Sequence, residues 1–265
     1  MILPRARKRF GQHFLEPAWV VKVVDVFNPS PEDRVVEIGP GRGALTRPIA
    51  PRVASLTAVE IDRDLAAALE AESLPGVRVV TADFLAADLD NVLGTGGAPV
   101  RVVANLPYNV ASPILFRLLG AADAGRRIRD ATLMLQREVA DRLLAVPGGP
   151  EYGALAIQAG LDADLTRLLS LPPGAFRPAP KVASAVVRLR FRDPAAEVGD
   201  RAVFTRLARG LFLQRRKTLL NALRPVARAL GAEASQLIDV AGLDPSQRPQ
   251  TLTLADMAAL SRAVL

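Results

Sequence analysis

Four consecutive residues, Asn105-Leu106-Pro107-Tyr108, are of types that could present an aromatic amine to an electrophile. The exocyclic nitrogen of adenine is a poor nucleophile because its lone pair is delocalised into the ring. The Asn105 side-chain oxygen and the Leu106 carbonyl could accept its two N–H bonds, which favours a pyramidal nitrogen with an available lone pair. Pro107 lacks an N–H and has a fixed φ, which helps to hold that carbonyl outward, and Tyr108 could stack on the purine. The alternative is a structural proline turn with a half-buried tyrosine.

A site of this kind needs positioning rather than a strong base, because the amine becomes acidic once it is alkylated. Well-oriented reactants can save roughly 7–11 kcal/mol of the barrier. The target base must already be unpaired, or must leave its helix, to reach such a pocket. The four residues therefore predict methyl transfer to an adenine amine, provided that a methyl donor binds beside them.

A glycine-rich turn, residues 39–43 (GPGRG), could hold that donor. Its glycines permit a tight turn between a strand and a helix and a close approach of the ligand. Glu60 ends the next predicted strand, where a carboxylate can accept hydrogen bonds from both hydroxyls of a ribose. The third glycine comes one position too early for a dinucleotide fingerprint, and no lysine follows as in a P-loop. The turn, preceded by Glu37, therefore favours S-adenosylmethionine as cofactor, with a plain turn as the alternative.

Asp83 lies just past the third predicted strand and could accept a hydrogen bond from the adenine amine of the cofactor. Its alternative is a helix or turn cap. Ile61 and Phe84, which follow Glu60 and Asp83 in the chain, are included among the candidate cofactor-binding residues. The sequence has no cysteine and one histidine, His13, so no metal site is predicted.

The elements that would position these residues alternate along the chain. Apolar β-branched runs predict strands, and the amphipathic stretches between them predict helices, which together indicate a parallel sheet with helices on both faces. Such sheets bind ligands at the carboxyl ends of their strands. The predicted strands are 34–38, 55–60, 77–81, 100–105, 131–136 and 184–191, and the predicted helices between them are 44–52, 62–72, 113–119 and 137–144.

The last part of the chain has a different pattern. Residues 171–181 are proline-rich and predict a surface loop, and residues 193–200 predict a linker. Helical patterns follow at 203–223, 225–230, 234–240 and 254–264. We therefore expect a catalytic domain that binds S-adenosylmethionine over 1–192 and a small, all-helical RNA-docking domain over 200–265.

Composition supports a globular protein with a polyanionic partner. The 265 residues are 50% hydrophobic, and the formal net charge is +7. Residues 185–230 contain eleven Lys and Arg against three acids, a candidate phosphate-binding surface that includes Arg215, Arg216 and Lys217. A solvated arginine-rich face is the alternative.

No apolar run approaches the length of a membrane span, and the basic first ten residues are not followed by the apolar stretch of a secretory signal. We expect a cytoplasmic protein with no membrane association.

Five ordered motifs make the sequence similar to the KsgA-type small-subunit (16S) rRNA adenine N6,N6-dimethyltransferase family. The similarity spans nearly the whole chain and lies in RKRFGQHFL (7–15), VEIGPGRGALT (36–46), NLPYNVASPIL (105–115), FRPAPKVASAVVRL (176–189) and FLQRRKTLLNAL (212–223). The resemblance implies a Rossmann-like class I methyltransferase domain and dimethylation of two adjacent adenosines in the 3′-terminal hairpin of small-subunit rRNA. It further implies an immature 30S subunit as partner, a role in ribosome biogenesis and a monomeric enzyme.

Carried over by position, the resemblance assigns roles to individual residues. The target base would be framed by Asn105, Leu106, Pro107 and Tyr108, with Phe176 against its other face unless Phe176 is a core residue. Position 13 is histidine where many members have asparagine, so a backbone contact to the cofactor would survive and a side-chain amide contact would not. The residues expected at the cofactor or its pocket are Gln12, His13, Leu15, Gly39, Gly41, Glu60, Asp83 and Asn105.

Three other functions fit parts of the pattern. Erythromycin-resistance rRNA methyltransferases share the catalytic motif and fold but modify a single adenosine of large-subunit rRNA; Leu106 and the segments 180–189 and 214–223 favour the small-subunit family. A ribosome-assembly factor would use the basic segment 185–230 for binding, with or without chemistry. An NAD-dependent oxidoreductase is disfavoured by the spacing of Gly43 and by the missing acid/base histidine.

Overall fold

A computed structural model describes residues 13–123 and 127–264. The chain forms two compact units. One contains the described residues up to Ala140 together with Asp164–Phe191, and the other contains Asp141–Ala163 and the residues from Arg192 onward. Within the described ranges, no helix is long and apolar enough to cross a membrane.

The first unit is built on a seven-stranded sheet with the strand order β4-β3-β2-β5-β6-β9-β7. Strands β2 to β6 pair in parallel, and β9 runs antiparallel to β6. A two-stranded antiparallel ribbon pairs β1 with β8. The strands are β1 (Phe14–Leu15), β2 (Arg34–Ile38), β3 (Ser55–Glu60), β4 (Val77–Thr81), β5 (Val100–Asn105), β6 (Ile128–Gln136), β7 (Ala163–Leu171), β8 (Phe176–Arg177) and β9 (Ser184–Phe191).

Helices connect the strands and form the second unit. Asp62 caps the helix after β3 by accepting a hydrogen bond from the backbone N–H of Asp64, a favourable N-cap arrangement. The helices are α1 (Pro17–Phe27), α2 (Thr46–Ile49), α3 (Arg63–Glu70), α4 (Leu89–Leu93), α5 (Ala111–Asp123), α6 (Arg137–Leu143), α7 (Ala154–Asp162), α8 (Arg201–Leu213), α9 (Leu219–Ala229), α10 (Ala234–Ala241) and α11 (Leu254–Arg262), with short 3-10 turns at Ala50–Arg52, Pro173–Ala175 and Pro249–Thr251.

The predicted fold class is confirmed, and five predicted strands have the predicted bounds: 34–38, 55–60, 77–81, 100–105 and 184–191. The continuous helix predicted over 203–223 is wrong, because residues 214–218 separate α8 from α9. Pro225 does not begin a new helix but lies inside α9. Residues 141–163, which we expected to belong with the sheet, cluster with the carboxy-terminal helices.

A buried arginine ties α1 to the amino-terminal side of the sheet. Arg101 on β5 is 5% exposed. Its guanidinium donates to Asp130 Oδ2 at 2.9 Å and to Asp33 Oδ2 at 2.8 Å. It also donates to the carbonyl of Phe27, the last residue of α1, at 2.7 Å. Arg101 therefore pairs with two buried carboxylates, which Arg129 also contacts, and satisfies a helix-end carbonyl.

The second unit has its own apolar core. The buried face of α8 contributes Phe204, Leu207 and Leu211. Leu219 and Leu223 of α9 belong to the same cluster. Because this cluster lies within the second unit, the all-helical part of the predicted fold has its own hydrophobic core.

Candidate active site

A cavity of about 180 Å³ lies in the first unit, at the carboxyl ends of its parallel strands. Strands β2 and β5 pair in register, with Ile38 opposite Ala104, so that the next residues, Gly39 and Asn105, meet at one edge. The chain connects outward from this pair in both directions, which makes it the switch point where open α/β sheets bind ligands. The predicted residues in its wall are His13, Leu15, Gly39, Gly41, Glu60, Ile61, Asp83, Phe84, Asn105, Leu106, Pro107 and Tyr108.

The glycine turn adopts a backbone that other residues rarely take. Gly39, Gly41 and Gly43 have φ angles of 68°, 58° and 73°. The Gly39 N–H donates to the Val59 carbonyl at 2.9 Å, which holds the turn against β3. A Cβ on Gly41 would lie 3.1 Å from Cε1 of Phe14. Positive φ and this close approach explain why the turn uses glycine.

Glu60 holds the same turn from the end of β3. Its Oε2 accepts from the Gly41 N–H at 2.9 Å, and its Oε1 accepts from the Asp62 N–H at 2.9 Å. Burial raises the pKa of Glu60, while these backbone hydrogen bonds oppose the rise. Each carboxylate oxygen has two acceptor positions, so the carboxylate can still accept hydrogen bonds from ribose hydroxyls.

Glu37 is a further wall residue to which the sequence analysis assigned no role of its own. Its carboxylate is 2% exposed and accepts a hydrogen bond from Thr46 Oγ1 at 2.7 Å. Burial raises the pKa of Glu37 to about 7; the Thr46 hydrogen bond opposes this rise, and the Glu60 carboxylate adds to it. The only sequence signal was an acid one residue before the end of a buried strand. The structure thus places a second carboxylate in the cavity, one that changes charge near neutral pH.

Asn105 has its side-chain amide oriented by the backbone. Its Nδ2 donates to the His13 carbonyl at 2.8 Å. Since only the amide nitrogen can donate to a carbonyl, the oxygen Oδ1 is left as the acceptor of this side chain. Asn105 and Leu106 both line the cavity, so the two residues that the sequence predicts to accept from an adenine amine lie in one wall.

Tyr108 is half-buried beside these acceptors. Its hydroxyl makes a 2.8 Å hydrogen bond with Ser184 Oγ at the start of β9. The His13 ring stacks on the Tyr108 ring, with 5.5 Å between centroids and 26° between planes. The other side of the imidazole is anchored through Nδ1 to the Pro178 carbonyl at 2.7 Å. Tyr108 is therefore fixed by two contacts as an aromatic surface in the wall.

Phe176 lies elsewhere. Its side chain is 1% exposed and belongs to a core cluster with Leu15 and Val24, and it is not in the cavity wall. Its backbone pairs β8 with β1, opposite Leu15. In this conformation Phe176 positions the β1 segment, and its predicted contact with the target base stays untested.

Asp83 makes the capping contact of its alternative role, and its contact with the cofactor stays a prediction. It lies in the cavity wall, and its Oδ1 accepts from the Leu85 N–H at 2.9 Å, as a turn-capping residue would. Phe84 is 4% exposed and Ile61 is 47% exposed. Because both of these apolar side chains line the cavity, they give it a surface suited to an adenine ring.

The remaining predicted residues lie outside the cavity. Gln12 precedes the described residues. Arg215, Arg216 and Lys217 are exposed between α8 and α9 of the second unit, and Arg215 Nη1 donates to the Pro150 carbonyl at 2.7 Å. Other arginines of the basic segment serve the protein itself: Arg201 pairs with Asp162 at 2.8 Å. Within the described part of the chain, no cluster of three or more His, Cys, Asp or Glu could hold a metal ion.

The strand order, the glycine turn and the acids at the strand ends define a class I methyltransferase of the Rossmann-like type. The family model for ribosomal RNA adenine dimethylase matches residues 4–260. The chain belongs to that family, which confirms the resemblance inferred from the sequence motifs.

Individual relatives agree with this assignment. A small-subunit rRNA methyltransferase A of Acinetobacter baylyi is 45% identical over 262 residues, 97% of this chain and 92% of its own. A dimethyladenosine transferase from Plasmodium falciparum has a similar crystal structure, with a TM-score of 0.76 at 23% identity over 94% of this chain and 96% of its own. The 23S rRNA methyltransferase ErmE is similar with a TM-score of 0.66 at 25% identity over 95% and 99% of the two chains. Because both solved structures share the fold under different enzyme names, the fold alone does not identify the RNA target.

Proposed function

We propose that the protein transfers methyl groups from S-adenosylmethionine to N6 of two adjacent adenosines in the 3′-terminal hairpin of small-subunit rRNA. The observation that carries this proposal is the orientation of Asn105. Its amide nitrogen is held by the His13 carbonyl, so its oxygen is the group left to accept an adenine N–H. Asn105 lines the same cavity as the glycine turn and Glu60.

The cavity residues fit the cofactor by the chemistry of their donors and acceptors. Glu60 would accept from the ribose hydroxyls, Asp83 from the adenine amine, and Ile61 and Phe84 would pack against the adenine ring. Glu37 adds a second buried carboxylate that complements the positive charges of S-adenosylmethionine. When bound, this cofactor supplies an electrophilic methyl group on a sulfonium.

The protein residues then act on the target amine. Oδ1 of Asn105 and the Leu106 carbonyl accept its two N–H bonds and direct its lone pair toward the cofactor side of the cavity. Tyr108, held by Ser184 and His13, stacks on the base at about 1–3 kcal/mol. The nitrogen would take the methyl group as its bond to the sulfonium sulfur breaks, which would leave a neutral thioether. It would then lose its proton to water, so the wall needs no strong base. In the second methylation the same residues act on a nitrogen that has one N–H left to donate.

Docking of the rRNA is assigned to the exposed cations Arg215, Arg216 and Lys217, which lie between α8 and α9. Phosphates are the matching partner for a chain of net charge +7. We further propose that the partner is an immature 30S subunit, that the enzyme acts as a monomer, and that it works in the cytoplasm, where this substrate is assembled.

Methyl transfer to subunits that lack the modification tests the proposal. We would incubate the protein with radiolabelled S-adenosylmethionine and immature 30S subunits and identify dimethyladenosine after nuclease digestion. Asn105→Ala should lower turnover by a factor of at least about 100, as loss of one preorganised polar group at a reacting atom does, while RNA binding persists. The matched control is Asn91→Ala, an exposed asparagine on α4 outside the cavity wall. Wild-type protein that binds the cofactor but labels no adenine would refute the proposed function.

A further inference from the structure

The loop from Pro178 to Ser184 joins two parts of the cavity wall. At one end the Pro178 carbonyl accepts a hydrogen bond from Nδ1 of His13. At the other end Ser184 Oγ bonds the Tyr108 hydroxyl. His13 and Tyr108 both line the cavity, so the five residues between these anchors run along its border.

This loop presents an unpaired cation. Lys181 is exposed, and it has no salt-bridge partner among the residues that the structure describes. Val182, next to it, is also exposed, at 45%. By contrast, Arg177 before the loop forms an ion pair with Glu16 at 3.0 Å, so its charge is partly satisfied within the protein.

A second unpaired cation lies against the same loop. The Arg137 N–H donates to the Ala183 carbonyl at 2.9 Å. Arg137 follows directly after β6, whose last residue, Gln136, pairs with Ser184. Its side chain is exposed and, like that of Lys181, has no salt-bridge partner in the described ranges. β6 is parallel to β5 with Met134 opposite Asn105, so Arg137 lies at the carboxyl-end edge where Asn105 ends its strand.

We propose that Lys181 and Arg137 form a phosphate-binding rim that holds the RNA backbone beside the adenosine inserted into the cavity. This inference rests on the proposed function and adds a substrate-binding surface in the first unit to the cations of the second. An inserted base leaves its flanking phosphates at the mouth of its pocket. Unpaired cations there gain more from a phosphate than cations that already have a carboxylate partner. The loop contributes no acid between Pro178 and Ser184 that would repel the backbone.

The salt dependence of RNA binding tests the rim. Fluorescence anisotropy would measure binding of a short, labelled, adenosine-containing single-stranded RNA over a range of salt concentrations. Each phosphate contact contributes about 0.7 to the slope of log K against log salt for single strands. Lys181→Ala and Arg137→Ala should each lower the slope by about 0.7, which at 0.1 M salt corresponds to about fivefold weaker binding.

Two controls separate this inference from the proposed function. Arg52→Ala removes an exposed arginine that precedes β3, away from the carboxyl ends of the strands, and should leave the slope unchanged. Calorimetry with S-adenosylhomocysteine should give wild-type affinity for both rim variants. If wild-type protein methylates 30S subunits but the rim variants keep the wild-type slope, the rim is refuted and the function stands. If the slopes fall but no methylation occurs, the function is refuted and the rim stands.

Discussion

Glu37→Gln should stabilise the cofactor-free protein above neutral pH while it weakens cofactor binding. The Glu37 carboxyl is 2% exposed, and its pKa is raised from 4.5 to about 7. In the unfolded chain the group ionises near 4.5, so between pH 4.5 and 7 the folded state binds more protons. Stability from this group is therefore fully present below pH 4.5 and is lost as the pH rises through 7. At 1.36 kcal/mol per pKa unit, the loss at pH 8 is about 3 kcal/mol.

Glutamine carries no charge at any of these pH values and can still accept the Thr46 hydrogen bond through its own oxygen. Urea unfolding at pH 5 and pH 8 would measure the effect. We expect the variant to gain up to about 3 kcal/mol over wild type at pH 8 and a much smaller amount at pH 5. Glu70→Gln, an exposed glutamate on α3, is the matched control and should shift neither value. Equal effects of Glu37→Gln at both pH values would refute the buried-carboxylate reasoning.

Two further predictions concern the glycine turn and the buried arginine. Gly41→Ala should lower the free energy of unfolding by about 1–2 kcal/mol because of the positive φ, and it should weaken S-adenosylhomocysteine binding because the new Cβ would lie 3.1 Å from Phe14. The control is Gly120→Ala, where a Cβ meets nothing within 4 Å, and an unchanged calorimetric affinity of the Gly41 variant would contradict the prediction. Arg101→Met should lower the free energy of unfolding by about 3–5 kcal/mol, because Asp33 and Asp130 lose a buried partner. As a control, Glu72→Gln breaks an exposed ion pair with Arg47 and should lower the free energy of unfolding by no more than about 1 kcal/mol. A similar loss for both variants would argue against the buried network.

Sequence patterns predicted those parts of the fold in which local preference and tertiary position agree. The strands at 55–60, 77–81 and 100–105 are β-branched runs bounded by turn residues, and each has its predicted bounds. The division between α8 and α9 was missed, because residues 214–218 (QRRKT) contain neither glycine nor proline to mark a helix end. The ribbon of β1 and β8 was missed for another reason. Each strand has two residues, and the partners are separated by more than 160 positions, so no local periodicity reports it.

The same limit applied to the candidate site. Residue spacing indicated three features of the site: glycines with positive φ, an acid at a strand end and the turn after β5. The structure brings them into one cavity. The burial of Phe176 could not be read in this way, since an aromatic residue inside a proline-rich segment fits a ligand pocket and a core equally well. The charge state of Glu37 could not be read from the sequence either, because it depends on how closely Glu60 approaches and how completely both carboxylates are buried.

The histidine at position 13 shows how a departure from a family pattern can leave the chemistry intact. Asn105 Nδ2 binds the backbone carbonyl of residue 13, a group that every residue supplies. This hydrogen bond leaves the oxygen of the Asn105 amide as the acceptor. It therefore does not depend on which side chain stands at position 13. What the imidazole adds is the stack on Tyr108 and the hydrogen bond to Pro178. The side chain at position 13 therefore shapes the aromatic surface of the cavity, while the orientation of the Asn105 amide is fixed by the path of the main chain.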